Sequence, residues 1–123
     1  MIVVFDANAL MTPSQHNVDV FDEAERVVGG YDAVVPDAVV RELRALADEG
    51  NTHASVALEL ARRNCDVVET DETHGDDAVL EVALGEDGSA VVTNDARLKE
   101  RLLEGKVPVL YLRQKNRLEV EYP

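Results

Sequence analysis

The chain has 123 residues, a net charge of −13 and 46% hydrophobic residues, and only 4% of its residues are aromatic. This length fits one ordinary core, so we predict a single domain over residues 1–123. The opening apolar run stops at Asp6 and no longer apolar run follows, which argues against a signal peptide or membrane span and predicts a cytoplasmic protein. Because Cys65 is the only cysteine, an intrachain disulfide is excluded.

Five short runs rich in valine are predicted to be buried strands. In chain order they are Ile2–Phe5, Ala33–Val35, Asp66–Val68, Ala90–Val92 and Val107–Leu112. The segment Met11–Asn17 contains Pro, Ser and Asn, and we predict that it forms a mobile loop.

Five segments between these runs have helical periodicity. They are Asp19–Val28, a helix that begins after Pro36, a third from Asn51 or Thr52 to about Asn64, a fourth from about Asp76, and a fifth from about Asp95 to Leu103. Strands that alternate with helices form right-handed crossovers and a parallel sheet. We therefore predict an α/β protein, a three-layer α/β/α sandwich with a central parallel sheet of about five strands.

The C-terminal quarter of the chain is basic, although the whole chain is acidic. Residues 96–123 carry a net charge of +3 and the preceding residues −16, so this part of the chain could face a polyanion. Its basic residues are Arg97, Lys99, Arg101, Lys106, Arg113, Lys115 and Arg117. The last three are predicted to follow the final strand. The acidity of the rest is typical of proteins from halophilic microbes.

Acidic side chains stand where predicted strands end or helices begin. Asp6 follows the first strand and Asp95 follows the fourth, so both should lie at the carboxyl edge of the sheet, where ligands of such sheets bind. Glu42 lies one turn inside the second helix, and Asp76 and Asp77 open the fourth. We expect these segments to converge on one acidic pocket.

A pocket of this composition favours Mg²⁺ or Mn²⁺ over Zn²⁺, because carboxylates are hard oxygen ligands and the three histidines lack metal-ligand spacing. A cation there would suit phosphodiester hydrolysis. Each carboxylate also has an ordinary explanation as a helix cap, a turn residue or a solvated charge. The case therefore depends on the set and its order along the chain.

That order resembles the PIN-domain ribonucleases, from end to end of the chain. The matching elements are FDAN with Asp6, VPDAVVRELRAL with Glu42, GDDAVLEVAL with Asp76 or Asp77, and VVTNDARLKERL with Asp95. The resemblance implies that Asp6, Glu42, Asp76 and Asp95 are catalytic residues and metal ligands for Mg²⁺ or Mn²⁺.

The resemblance also assigns supporting roles. Asn8 and Thr93 would hold the geometry of the carboxylates, and Asp77 would flank the pocket or bind a second ion. We prefer Asp76 to Asp77 as the ligand because its helical neighbours at i+3, i+4, i+7 and i+8 are all apolar.

Within the family, the C-terminal part of the chain is most similar to the archaeal, ribosomal-RNA-processing branch. This implies endonucleolytic processing of RNA. Toxins of the VapC type share the acidic residues and are the nearest alternative. A homodimer, an antitoxin and a ribosome-assembly factor are the candidate protein partners. Arg97, Lys99 and Arg101 are the candidate RNA-binding residues.

Other functions remain open on the residues alone. A phosphatase of the haloacid-dehalogenase type would have a second Asp at position 8, which is Asn, and a response-regulator receiver would have a Lys where the chain reads VVTND. A non-catalytic PIN-fold module that binds RNA is the third alternative, and the complete acidic set speaks against it.

Overall fold

The structure, a computed structural model, describes residues 1–114 and 116–123. Over these residues the chain forms six strands and six helices. The strands are β1 (Ile2–Phe5), β2 (Asp32–Pro36), β3 (Asp66–Val68), β4 (Ala90–Val92), β5 (Val109–Arg113) and β6 (Arg117–Glu121). The helices are α1 (Ala7–His16), α2 (Val20–Val28), α3 (Asp37–Asp48), α4 (Thr52–Asn64), α5 (Gly75–Leu84) and α6 (Ala96–Glu104).

The strands form one sheet in the order β3-β2-β1-β4-β5-β6. The first five are parallel to their neighbours, and β6 pairs antiparallel with β5. The predicted three-layer α/β/α sandwich is confirmed, and the antiparallel edge strand is an addition to it. Strands β2 and β3 lie on one side of β1, and the later strands β4 to β6 lie on its other side. The strand order therefore reverses at β1, and ligands of such sheets bind at this point of reversal.

Strand β1 is the centre of the core. Val3, Val4 and Phe5 are fully buried, and Phe5 packs its ring against Phe21 at a centroid distance of 4.8 Å. Burying such a side chain contributes roughly 1.5–3 kcal/mol. The residue that follows this strand is therefore held on a rigid support.

The prediction of a mobile loop at Met11–Asn17 is wrong, because this segment belongs to α1. Asp6 caps the helix by accepting a hydrogen bond from the backbone N–H of Ala9, and Asn17 ends it in the left-handed conformation with φ 55°. Pro13 lies inside the helix and removes one donor, a disruption that costs about 3 kcal/mol in an isolated helix. Packing against α4 offsets it, and the Ser14 hydroxyl lies 2.7 Å from His53 Nδ1 on that helix.

The C-terminal basic residues do not follow the last strand as predicted. Arg113 ends β5 and Arg117 begins β6, because the alternating sequence RLEVE suits a strand with one buried face. Lys115 lies outside the described residues. The outer edge of β6 is tied to α2 at Leu118, whose N–H donates to Glu23 and whose C=O accepts from Arg26.

In the part of the chain that the structure describes, no helix is long and apolar enough to cross a membrane.

Candidate active site

The four predicted carboxylates are brought together at the carboxyl edge of the sheet. Asp6 follows β1 and Asp95 follows β4, and these two strands pair in parallel. Glu42 comes from α3 and Asp76 from the first turn of α5. All four line one cavity of about 200 Å³, which we call the acidic cavity.

Asp6 is the most buried member of the set, at 5% exposure. One carboxylate oxygen accepts the N–H of Ala9 at 2.7 Å, and the other accepts the hydroxyl of Thr93. Burial raises the pKa of Asp6 from 3.8 to about 7, with the nearby Asp76 and Asp95 adding to the shift and the two hydrogen bonds opposing it. The free protein therefore disfavours a negative charge at this position.

Glu42 and Asp76 are exposed side chains at the cavity. Partial desolvation and then the charge of Asp76 raise the pKa of Glu42, and desolvation followed by the charge of Asp95 raises the pKa of Asp76. Burial is the main cause of these upward shifts and repulsion between the carboxylates adds to them, and a bound cation would oppose both effects.

Gly75 is a part of the site that the sequence analysis did not identify. A Cβ built at this position would lie 2.8 Å from Glu42 Oε1, so any other residue would push the carboxylate away. In the sequence, Gly75 is visible as a glycine directly before two aspartates at the start of a helix. Its importance depends on how closely Glu42 of α3 approaches it, which the sequence does not show.

Asn94 was also missed, although it lies inside the TND element. Its side-chain oxygen accepts the N–H of Leu112 at 2.7 Å, and its side-chain nitrogen donates to Asn8 Oδ1 at 3.0 Å. Thr93, predicted as a supporting residue, donates to Asp6 and accepts the N–H of Asp95 at 3.1 Å. Thr93 thus contacts two of the predicted acidic residues, whereas the Asn8 side chain contacts Asn94, and its support of the carboxylates stays a prediction.

The basic residues of α6 divide between two faces of the helix. Arg97 and Arg101 line a second cavity with Glu42, Asp76 and Asp95, and Arg101 pairs with Asp77 at 2.9 Å. Lys99 instead pairs with Glu121 at 3.1 Å, and its amino group lies 4.6 Å from the centre of the Tyr111 ring. Asp77 thus pairs with the guanidinium of Arg101 outside the acidic cavity, whereas Asp76 lines the acidic cavity.

The donor chemistry of the acidic cavity fits a magnesium or manganese ion, because four carboxylates from four segments supply oxygen ligands only. Within residues 1–114 and 116–123, no three His, Cys, Asp or Glu side chains already form a metal-coordinating group. The exposed side chains of Glu42 and Asp76 would have to rotate toward Asp6, which is itself held by Ala9 and Thr93.

The comparison with protein families agrees with this fold and site. A family model described as a PIN-like domain matches residues 3–115. The chain belongs to the PIN-like domain family, and the resemblance inferred from the four acidic elements is confirmed.

Two archaeal ribonucleases are similar to the chain over almost its whole length. Ribonuclease VapC4 of Methanocaldococcus jannaschii is 31% identical over 124 aligned positions, which cover 96% of this chain and 95% of the relative. Ribonuclease VapC9 of Archaeoglobus fulgidus is 32% identical over 121 positions, which cover 96% of this chain and 87% of the relative.

Solved structures show the same architecture. The PIN domain endonuclease Utp24 superimposes with a TM-score of 0.83 at 21% identity, covering 99% of this chain and 92% of that one. A domain of a functionally unknown protein from Methanocaldococcus jannaschii gives a TM-score of 0.58 at 16% identity, covering 91% of each chain. At these identities the likeness concerns the fold.

Proposed function

We propose that this protein is a ribonuclease that hydrolyses RNA phosphodiester bonds with Mg²⁺ or Mn²⁺. The observation that carries the proposal is that Asp6, Glu42, Asp76 and Asp95, from four separate segments, line one cavity. The similarity to two ribonucleases over 96% of the chain supports RNA as the substrate.

The side chains of the acidic cavity would hold the cation, which when bound lowers the pKa of an attacking water and neutralises charge on the phosphate. Thr93 keeps Asp6 in position and at the same time accepts the N–H of Asp95, so one hydroxyl couples two ligands. Asn94 fixes the amide of Asn8 beside them. Such hydrogen bonds orient the ligands and exclude alternative rotamers.

Arg97 and Arg101 would bind the phosphates of the RNA chain next to the cut. Both line a cavity that also contains Glu42, Asp76 and Asp95, so a backbone that reaches the carboxylates passes these guanidinium groups. Arginine binds phosphate through paired N–H donors. We propose a lesser role for Lys99, because it lies on another face of α6 and does not line this cavity.

A cleavage assay with purified protein tests the proposal. We expect cleavage of RNA with Mg²⁺ or Mn²⁺ and none with EDTA. A circular RNA tests the endonucleolytic form of the reaction, because an exonuclease cannot start on it. If the wild-type protein leaves RNA intact with either metal, the proposed function is wrong.

A toxin of the VapC type is the second candidate, because both archaeal relatives carry that name. It would arrest growth when expressed without a partner, and a small antitoxin encoded beside it would restore growth. An RNA-processing enzyme would do neither.

The proposed partners are an antitoxin, a second copy of the chain and a ribosome-assembly factor. Four further statements remain predictions from the sequence: the cytoplasmic location, the archaeal source, the halophilic habitat and the single domain over residues 1–123.

A further inference from the structure

A third cavity, of about 330 Å³, adjoins the acidic cavity. The two share Asn8, Asn94 and Asp95. The new cavity is also lined by Gln15 and Tyr111, and we call it the amide cavity. Its volume lies at the lower end of the range of about 300–1,000 Å³ that is usual for small-ligand sites.

The amides at this cavity are oriented by the backbone of β5. The N–H of Leu112 fixes Asn94 Oδ1, so Asn94 Nδ2 must turn toward Asn8 Oδ1 at 3.0 Å and toward Thr12 Oγ1 at 3.4 Å. Because Asn8 Oδ1 accepts this bond, the donor end of the Asn8 amide is turned away from Asn94. The Asn8 amide, which lines both cavities, is therefore held in one orientation by a main-chain hydrogen bond that acts through Asn94.

The chemistry of the lining suits a nucleobase. Side-chain amides of Asn and Gln pair with the donor and acceptor edges of bases. The amino group of Lys99 already lies over the Tyr111 ring, so base recognition here depends on the amides rather than on stacking against that ring. A phosphate would find little attraction here. Of the two basic side chains that line this cavity, Lys99 is paired with Glu121, and His16 shares the lining with the carboxylate of Asp95. Arg97 and Arg101 line the other cavity.

We propose that the amide cavity binds one nucleobase next to the scissile phosphate and so sets the nucleotide preference of cleavage. This rests on the proposed function, because a phosphate bound to a cation at Asp95 and the other carboxylates would place the adjoining nucleoside near the wall that the two cavities share. Gln15 is the residue that reads the base, since it is the side-chain amide of the lining that does not also line the acidic cavity. Asn94 is a positioning residue that acts through Asn8.

The first test measures cleavage of four short single-stranded RNAs that differ only in the nucleotide beside the cut. We expect the wild-type protein to prefer one nucleotide by roughly tenfold, the discrimination of one good base contact. Gln15→Ala should bring the four rates close together. Gln15→Glu, which exchanges the amide donor for an acceptor, should change the favoured nucleotide. Equal rates in the wild-type protein, or an unchanged preference in both variants, would overturn the proposal.

Asn64→Ala is the matched control, because Asn64 lines a cavity of about 370 Å³ that shares no residue with the acidic cavity. It should keep the wild-type preference.

A second measurement does not need cleavage. The wild-type protein is titrated in EDTA with the four ribonucleosides, and the side-chain amide signals of Gln15 are followed by NMR. A saturable shift that is largest for one nucleoside is expected, and no saturable shift with any of them contradicts the proposal. If the protein cleaves no RNA, the proposed function fails and this titration alone decides on the cavity.

Discussion

Asp6 has two structural roles at once. It caps α1 by accepting the N–H of Ala9, and it presents a carboxylate to the acidic cavity. An Asn at this position would still cap the helix, because Asn and Asp are equally good caps, whereas Ala would cost about 1 kcal/mol. The Asn variant therefore removes the charge of Asp6 and keeps the cap, although its amide nitrogen cannot accept the hydroxyl of Thr93 as the second carboxylate oxygen does.

We predict that Asp6→Asn and Asp95→Asn each reduce RNA cleavage by roughly two orders of magnitude or more, because both remove a charge that would hold the cation. Initial cleavage rates of folded variants measure this effect. Asp87→Asn, which removes an exposed charge outside these cavities, should cleave like the wild-type protein. Asp77→Asn should reduce the cleavage rate by less than Asp76→Asn does. Wild-type rates in the Asp6 or Asp95 variant would refute the mechanism.

The raised pKa of Asp6 gives a pH dependence of stability in EDTA. The folded-state pKa of about 7 exceeds the ordinary value of 3.8, so the folded protein holds more protons than the unfolded chain between these values. The stabilising contribution is complete below pH 4 and is lost as the pH rises through 7.

We therefore predict that the free energy of unfolding falls between pH 5 and pH 8 by more in the wild-type protein than in Asp6→Asn, measured by urea denaturation in EDTA. Asp87→Asn serves as the control for the loss of one charge. The same slope in the wild-type protein and Asp6→Asn would show that Asp6 is ionised throughout this range.

Gly75 offers a test of how closely α3 must approach α5. We predict that Gly75→Ala folds normally, because alanine favours helices by about 1 kcal/mol over glycine and the clashing atom is the end of a flexible side chain. Metal affinity and cleavage should both fall, since Glu42 is displaced. Isothermal titration with Mn²⁺ measures the first effect. Gly30→Ala, where a Cβ meets nothing within 4 Å, should leave both unchanged.

These residues also show what the sequence could and could not predict about the site. Asp6, Glu42, Asp76 and Asp95 were found because each stands at a strand end or in an early helical turn. Gly75 and Asn94 act through contacts with residues far along the chain, Glu42 and Leu112. Such contacts cannot be seen in local periodicity.

At the scale of elements, α6 separates two kinds of contact. Residues four apart share a helix face and residues two apart do not, so Arg97 and Arg101 line one cavity whereas Lys99 lines the amide cavity. The helix therefore presents basic side chains to two different cavities.

We predict that Arg97→Ala with Arg101→Ala weakens RNA binding across all sequences and reduces the slope of log affinity against log salt by about 1.4, at about 0.7 for each phosphate contact to a single strand. Lys99→Ala should change the slope by less. Fluorescence anisotropy at several salt concentrations, in EDTA to prevent cleavage, measures both. Equal slopes in the wild-type protein and the double variant would make Arg97 and Arg101 ordinary surface charges.

The elements that were missed share a cause. Helix α1 contains Pro13 and a polar end, so local sequence favours a loop, and packing against α4 decides otherwise. Strand β6 alternates charged and apolar residues because it lies at the sheet edge. The central strands β1 and β4 were predictable because burial on both faces leaves continuous apolar runs, whereas β3, at the other edge of the sheet, has the exposed residues Asp66 and Val67.

At the scale of the whole molecule, the charge of −13 destabilises the folded state through repulsion. Much of this charge is dispersed over the surface, but the acidic cavity concentrates it: Asp6, Glu42 and Asp76 all have raised pKa values. Cations can therefore stabilise the protein in two ways, by general screening and by binding in the cavity.

We predict that Mn²⁺ or Mg²⁺ raises the melting temperature at fixed ionic strength, because a ligand of the folded state alone stabilises it by about 2.7 kcal/mol at one hundred times its dissociation constant. Scanning calorimetry with NaCl balancing the ionic strength separates binding from monovalent screening. Asp6→Asn should lose most of the increase, because it removes one ligand, whereas Asp87→Asn should keep it, because it removes one charge from the general repulsion. A similar increase in melting temperature in both variants would assign the effect to the dispersed surface charge. An unchanged melting temperature of the wild-type protein in millimolar Mn²⁺ would contradict a metal site formed by these carboxylates.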